Sequence, residues 1–317
     1  MTITPTSQRT RLLIRQARAT AQTPLEHLDQ QHWNETAVTF QHQLKACRVA
    51  GACTELLERL GYPQRAAAQL VPVLHHFEAL VYRTDGDLEE HQRGGAGPKG
   101  GGREGIDAIL AAYGLSHDTA IDTELDTLVR YAQTETRIMQ GRLPLTAELI
   151  RETCYSRSAH IRLLLRFALR LADLSVDEEF MSLARHVFAR DEVVADCVGY
   201  EQDVRDDSFN TLRLHAHLHG PHKAADAQRA LAAHILHELH TGLARANRPA
   251  LVRFGNAFLP RPATIGARHH TPDSRMSLAR RLAPLTALRR HTCRQAGRTA
   301  RLTMVAVPDP RTDTRFQ

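Results

Sequence analysis

The sequence predicts an all-α protein, built as a single-domain bundle of roughly ten helices. Three observations carry this. Ala, Leu and Arg dominate while aromatics are only 5%, and that balance favours helix over sheet. Apolar residues recur at spacings of three and four, the helical repeat. No apolar-polar alternation of strand length occurs, and no internal repeat is visible. At 317 residues the chain is long enough for one large domain or two ordinary ones.

The elements follow in order. Residues 1–22 are polar and basic and read as a flexible N-terminal segment. Helical pattern runs from Pro24 to Leu60, where Gly61-Tyr62-Pro63 breaks it. A second helix is expected from Gln64 to Gln92, with Leu70, Val73, Leu74, Phe77, Leu80 and Val81 as its buried stripe. The glycine loop from Gly94 to Gly102 follows; Lys99 has no Ser or Thr after it, so this is no Walker motif. Pattern resumes near Ile106 and again from Thr119 to Gln140. Gly141-Arg142-Leu143-Pro144 is a break, and Thr146 caps the next helix. That helix continues through the apolar stretch Ile161 to Leu174, with an interruption between Ser156 and His160. Ser175 with Glu178 reads as a capping box for a long helix from Val176 to His217. Gly220-Pro221 stops it, and another helix covers Ala224 to Ala246. The pattern weakens from Arg248, and residues 271–317 read as a disordered basic tail. The helical domain therefore spans residues 23–270.

Composition also excludes classes. No apolar run approaches the ~20 residues of a membrane span, and the N-terminus has no apolar core of signal-peptide type. The five cysteines are odd in number, widely spaced and without a CxxC, which implies reduced thiols and a cytoplasmic setting. The net charge is +6. Residues 251–317 hold 13 Arg and 3 Asp with no Lys. That segment therefore carries +10, and the first 250 residues carry −4. Few aromatics interleave the arginines, so sequence-specific nucleic-acid binding is not expected.

Two acidic clusters fall late in long helical patterns. In Asp85-Gly86-Asp87-Leu88-Glu89-Glu90, Asp85 and Glu89 are four residues apart and share a helix face. Carboxylates there repel unless a cation sits between them, and Mg²⁺ takes such oxygen ligands. A solvated helix end is the other reading. In the second cluster, Asp203, Asp207 and Thr211 fall on one face of the expected long helix, with Gln202, Asp206 and Asn210 on a neighbouring face. Metal binding and ion pairing with Arg205 or Arg213 are both open there. His215, His219 and His222 fall at metal-ligand spacing, with no Cys or catalytic Glu beside them.

Together these segments resemble a bacterial class I terpene synthase. The first cluster is similar to the family's aspartate-rich metal motif. Residues 203–211 occupy the place of its second metal motif, of form N/D-D-x-x-S/T-x-x-x-E. Gly141-Arg142-Leu143-Pro144-Leu145-Thr146-Ala147-Glu148-Leu149 resembles the family's G-x-x-P-s-x-e-e-Y segment, and Arg157-Ser158-Ala159-His160 its R-x-s-x-G stretch. Arg157 precedes Asp203 by 46 residues, the family spacing of its diphosphate-sensing arginine. Ile265-Gly266-Ala267-Arg268-His269 is similar to the C-terminal t-g-R-Y element. Gly86 stands in place of a second aspartate, Val204 of another, Thr211 of glutamate and His269 of tyrosine.

The resemblance covers roughly Leu25 to His270. It implies Mg²⁺-dependent ionisation of a prenyl diphosphate, C15 or C20, and conversion of the carbocation to a terpene hydrocarbon or alcohol. Asp85 and Glu89 would hold metal, as would Asp203, Asp207 and Thr211. Three Mg²⁺ ions are implied, fewer if the departures cost a ligand set. Arg157 and Arg268 would grip the diphosphate as bidentate donors. Phe77, Tyr82, Tyr155, Tyr200 and Phe254 are candidates to line the pocket, where an aromatic face is worth ~0.5–2 kcal/mol to a cation; core packing is the competing role for each. A homodimer is common in that family. Two alternatives stand beside this one: a catalytically degenerate isoprenoid-binding protein, and a chain-elongating prenyltransferase on the same fold.

Overall fold

The structure, a computed structural model, describes residues 36–92 and 101–258, and only the backbone at 88–92 and 101–102. The expectations for residues 1–22, for Arg268 and for the tail 271–317 lie outside the described residues. Within them the protein is all-α, as expected, with no strand. The helices are α1 (Phe40–Arg59), α2 (Gln64–Gln92), α3 (Gly101–Ala112), α4 (Thr119–Met139), α5 (Ala147–Arg157), α6 (Ala159–Leu171), α7 (Glu178–Asp206), α8 (Thr211–His219), α9 (Pro221–Arg245) and α10 (Arg248–Phe258). None is long and apolar enough to cross a membrane. They form two compact units that divide between Val176 and Asp177.

The first unit holds α1–α6. Thr39 opens α1 through a capping box in which His42 supplies the reciprocal side chain. Gly61, at φ +98°, turns the chain after α1, and α2 packs back along it. The α6 helix lies against α1, α2 and α4. Leu57, Leu74, Leu80, Ile121, Leu163 and Leu164 are fully buried between these helices. Phe77 stacks on Phe167 at 4.4 Å, and Tyr113 meets Phe167 edge-on.

A charged network lies inside this apolar packing. Glu124 on α4 accepts from Arg162 Nε at 2.9 Å and from Arg166 Nε at 3.1 Å, and all three residues are buried. Arg162 also donates to the Tyr155 carbonyl and the Ser158 hydroxyl. Ser158 is the whole of the joint between α5 and α6. The interruption expected over Ser156 to His160 thus narrows to one residue.

The second unit holds α7–α10, and the sequence reading needs two corrections there. The long helix expected to 217 ends at Asp206. Asp207 is left-handed at φ +55°, and Asn210 caps a new helix by accepting from Leu212 N and Arg213 N. Its start also moves, because Asp177 rather than Ser175 is the cap. Beyond Arg248, where the pattern weakens, α10 is helical because Phe258 packs with Phe180 and Phe188 on α7, with Phe254 buried beside it. Gly242 lets α9 approach α7 closely: a Cβ there would lie 2.8 Å from Leu183 Cδ2.

Removing Glu124 leaves two buried guanidinium groups without their shared carboxylate. Glu124→Ala is expected to lower the unfolding free energy by roughly 3–5 kcal/mol, read from urea denaturation. A loss below about 1 kcal/mol, the worth of a surface pair, would show that the network is not a structural anchor.

Candidate functional site

In the first unit, polar side chains gather where α2, α4 and the α5–α6 joint come together. Glu78, Tyr82 and Asp85 follow one another along a single face of α2. Tyr131 and Glu135 are four residues apart on α4 and both buried. Arg157 ends α5, and His160 lies in the first turn of α6. Asp85 and Arg157 are half-buried.

Tyr131 links these groups. Burial pushes its hydroxyl well above the ordinary tyrosine range, and the Glu135 and Asp85 carboxylates push the same way while Arg157 opposes them. The hydroxyl is hydrogen-bonded to Glu135 and stays protonated. One phenol therefore feels the carboxylate of Asp85 and the guanidinium of Arg157, two candidates far apart in the chain. His160 extends the cluster. Its Nδ1 lies 2.9 Å from the Arg157 carbonyl oxygen, which can only accept, so Nδ1 carries a hydrogen. Its Nε2 faces Glu78 at 3.9 Å. The Tyr82 ring lies 6.3 Å from the His160 ring, with Lys45 Nζ 5.9 Å from the Tyr82 centroid. An acidic and a basic group beside a neutral phenol can hold a cation and an anion side by side.

The remaining candidates of this unit divide. The helix continues through 89, so the four-residue spacing of Asp85 and Glu89 holds on the backbone. Asp87 faces Arg83 on its own helix. Phe77 is fully buried against Phe167 and is core. Tyr155 is largely buried, and its carbonyl accepts from Arg162.

In the second unit the break after Asp206 corrects the placement of Asp203, Asp207 and Thr211, which do not share one continuous helix face. Asp203 accepts from Asn210 Nδ2 at 2.7 Å. Asp207 pairs with Arg213 at 2.7 Å. Thr211 is buried; its N–H and hydroxyl both donate to Asp196, and Gln228 donates to its oxygen. The alternative set separates as well: Gln202 and Asp206 bond to each other on an exposed face, while Asn210 is buried. Tyr200 packs with Leu212, Ala216 and Ala224, and Phe254 with Phe258; both are core.

Asp196 and Asn210 organise this cluster; Asn210 belonged to the alternative set read from the sequence, and Asp196 was not singled out there. Asn210 holds the Asp196 carbonyl oxygen at 2.8 Å as well as Asp203. Asp196 sits two turns before Asp203, inside the stripe Val193 to Tyr200 that reads as core. A carboxylate within a core stripe was the available signal. Gly199 lies under Asp203, where a Cβ would stand 3.3 Å from Oδ2.

The donor sets differ in their fit to Mg²⁺. Asp85 is a half-exposed carboxylate of the type Mg²⁺ takes. Asp207 and Thr211 do not fit, because Arg213 and Asp196 already engage them. Among the described residues, no group of three or more His, Cys, Asp or Glu stands ready for a metal ion. His222 lies on α9, apart in sequence face from His215 and His219 on α8. The His215 ring is buried against His219, neither of its nitrogens has a hydrogen-bond partner among the described residues, and burial pushes its pKa down to about 4.

Compared with protein-family models, curated proteins and solved structures, the chain gives no match.

His215 gives a pH dependence. Its folded pKa lies below the ordinary histidine value of 6.5, so the unfolded chain binds the proton more readily. The stability due to a neutral His215 is complete above pH about 6.5 and is lost as pH falls toward about 4. Thermal unfolding followed from pH 7.5 to 4.5 should show a falling midpoint, with a shallower fall in His215→Phe. Equal slopes in the two proteins would assign the effect to His42, His76 and His186, whose pKa values are also lowered, chiefly by burial.

Proposed function

We propose that the chain is a class I terpene synthase that ionises a C15 or C20 prenyl diphosphate and directs the carbocation to a hydrocarbon or alcohol. The observation that supports this is that Asp85 on α2 and Arg157 at the end of α5, the two candidates expected to flank a metal-diphosphate group, both bear electrostatically on the buried Tyr131 phenol of α4. Arg157 would bind the diphosphate with an always-charged, bidentate donor. Bound Mg²⁺ would supply Lewis-acid neutralisation of the departing charge, held by Asp85 and, on the same helix face, Glu89. Tyr131, kept protonated by burial and by donating its one hydrogen to Glu135, would leave the charge at the site to Asp85 and Arg157. Tyr82 would present an aromatic face beside the reacting carbon. Arg268, the second diphosphate ligand of the resemblance, belongs to this reading, as do a cytoplasmic location and a homodimer.

A second reading has its own support. Asp207 and Thr211 are engaged by internal partners, and Gly86 stands where an aspartate is expected. Both favour a protein that binds an isoprenoid without turning it over.

Incubation with Mg²⁺ and, separately, C10, C15, C20 and bicyclic labdane-type diphosphates separates the two. A synthase releases diphosphate and yields a terpene in the organic extract by gas chromatography–mass spectrometry. Arg157→Ala and Asp85→Ala are each expected to cut diphosphate release by roughly 100-fold, the scale of losing one charge-stabilising group. Tight binding of a prenyl diphosphate with no release would favour the second reading, and neither binding nor release would sink both.

A further inference from the structure

The second unit carries a histidine pair that the chemistry proposed above does not use. His215 and His219 are four residues apart on α8, so they share one face of that helix. Their rings stand 5.8 Å apart, centre to centre, at an interplanar angle of 18°. His215 is 3% exposed, and neither Nδ1 nor Nε2 has a hydrogen-bond partner among the described residues. Buried polar atoms in folded proteins are nearly always paired, and a buried imidazole with neither nitrogen engaged calls for a partner such as an ion or a water. His219, beside it, is exposed and opens the pair to solvent.

Chemistry and spacing both suit this pair to a metal ion. A neutral imidazole always keeps one nitrogen with a lone pair. Neither nitrogen of His215 is tied to a partner among the described residues, so either can be that one. Burial, with His219 pushing the same way, brings the His215 pKa down to about 4, so no proton competes for the lone pair at neutral pH. With metal–nitrogen bonds of about 2.0–2.1 Å, two imidazoles on one ion have ring centres roughly 4.5–6.4 Å apart, for bond angles from about 90° to about 180°. The observed 5.8 Å falls within that range. Near-parallel rings do not both point at one ion, so coordination turns the His219 ring about its terminal torsion, which is broad and two-fold in histidine. The exposure of His219 leaves room for that turn.

We infer that His215 and His219 form a two-histidine site for a divalent transition-metal ion of the Zn²⁺, Ni²⁺ or Cu²⁺ class. His215 supplies the buried ligand and His219 the exposed one. Ligands from solvent complete the coordination, since no third His, Cys, Asp or Glu joins the pair among the described residues. Imidazole nitrogens suit these ions, whereas Mg²⁺ takes oxygen ligands. The site is therefore distinct in its ion from the one proposed at Asp85.

The test titrates the untagged, metal-free full chain with Ni²⁺ at neutral pH by isothermal titration calorimetry. A second titration uses Cu²⁺–iminodiacetate, read by electron paramagnetic resonance. One equivalent is expected to bind more tightly than the rest, with two imidazole nitrogens on its copper, and excess Mg²⁺ should not displace it. His219→Ala should weaken that equivalent by at least roughly 10–100-fold, the scale on which even partners outside the coordination sphere act. His215→Phe should do the same. His217→Ala and His222→Ala, at exposed positions nearby, should keep it. The proposal is overturned if no equivalent stands out from the weak binding of scattered histidines, which is also the result if His215 holds only a water. It is overturned as well if His219→Ala keeps the tight equivalent, if His217→Ala or His222→Ala loses it equally, or if the copper carries a single imidazole. His219 is exposed, so its variant decides the matter even if His215→Phe misfolds.

Discussion

Glu124, shared by Arg162 and Arg166, is the interaction on which the rest of the first unit depends. Each guanidinium buried without a carboxylate would cost several kcal/mol, so α6 can occupy its apolar seat only in a register that brings both arginines to α4. Arg162 then reaches back to the Tyr155 carbonyl and Ser158, which fixes the end of α5 against the start of α6. Arg157 and His160 flank that joint. Their place on either side of the joint thus follows from a salt bridge that reaches the candidate site through the Tyr155 backbone.

The second unit solves a related problem with neutral partners. Asp196 is buried where a lone carboxylate would be costly. Thr211 supplies two donors to it, and Gln228 closes the network. Asn210 ends one helix environment and begins the next, using its oxygen for the cap and its amide for Asp203 and the Asp196 carbonyl. A polar core of this kind trades ligand availability for order: the side chains that make the turn are the ones a metal would otherwise compete for.

The all-α class and most helix limits were legible because they rest on local signals. Gly61-Tyr62-Pro63, Gly141 to Pro144 and Gly220-Pro221 punctuate the chain through glycine and proline, whose backbone preferences act without tertiary help. The break at Asp207 was not legible. Asp207 adopts a left-handed conformation without glycine, and Asn210 becomes a cap only because Asp196 and Asp203 hold it there. That assignment is non-local, and the periodicity of Val193 to Leu214 runs straight through it. The candidate site shows the same division. Asp85 was picked out by residue type and its spacing to Glu89, and Arg157 by the family resemblance of its segment. Glu78, Tyr131 and Glu135 sit in apolar stripes, where sequence pattern ranks them as exceptions rather than as a cluster. Asp196 was missed for the same reason. Phe77 and Tyr200 show the converse, since an aromatic at helical spacing looks alike whether it lines a pocket or fills a core.

Ser158 is the only residue between α5 and α6, and that brevity has a consequence for how the chain can vary in length. One residue added to or removed from a helix rotates everything beyond it by about 100°. At a longer loop such a change would be absorbed by slack. Here there is none, so an insertion would turn α5 about its own axis and swing Arg157 off the side that faces Tyr131. Variation in length should therefore collect in other connections of this unit, such as residues 113–118 between α3 and α4 or 140–146 between α4 and α5, while the joint at Ser158 keeps its count.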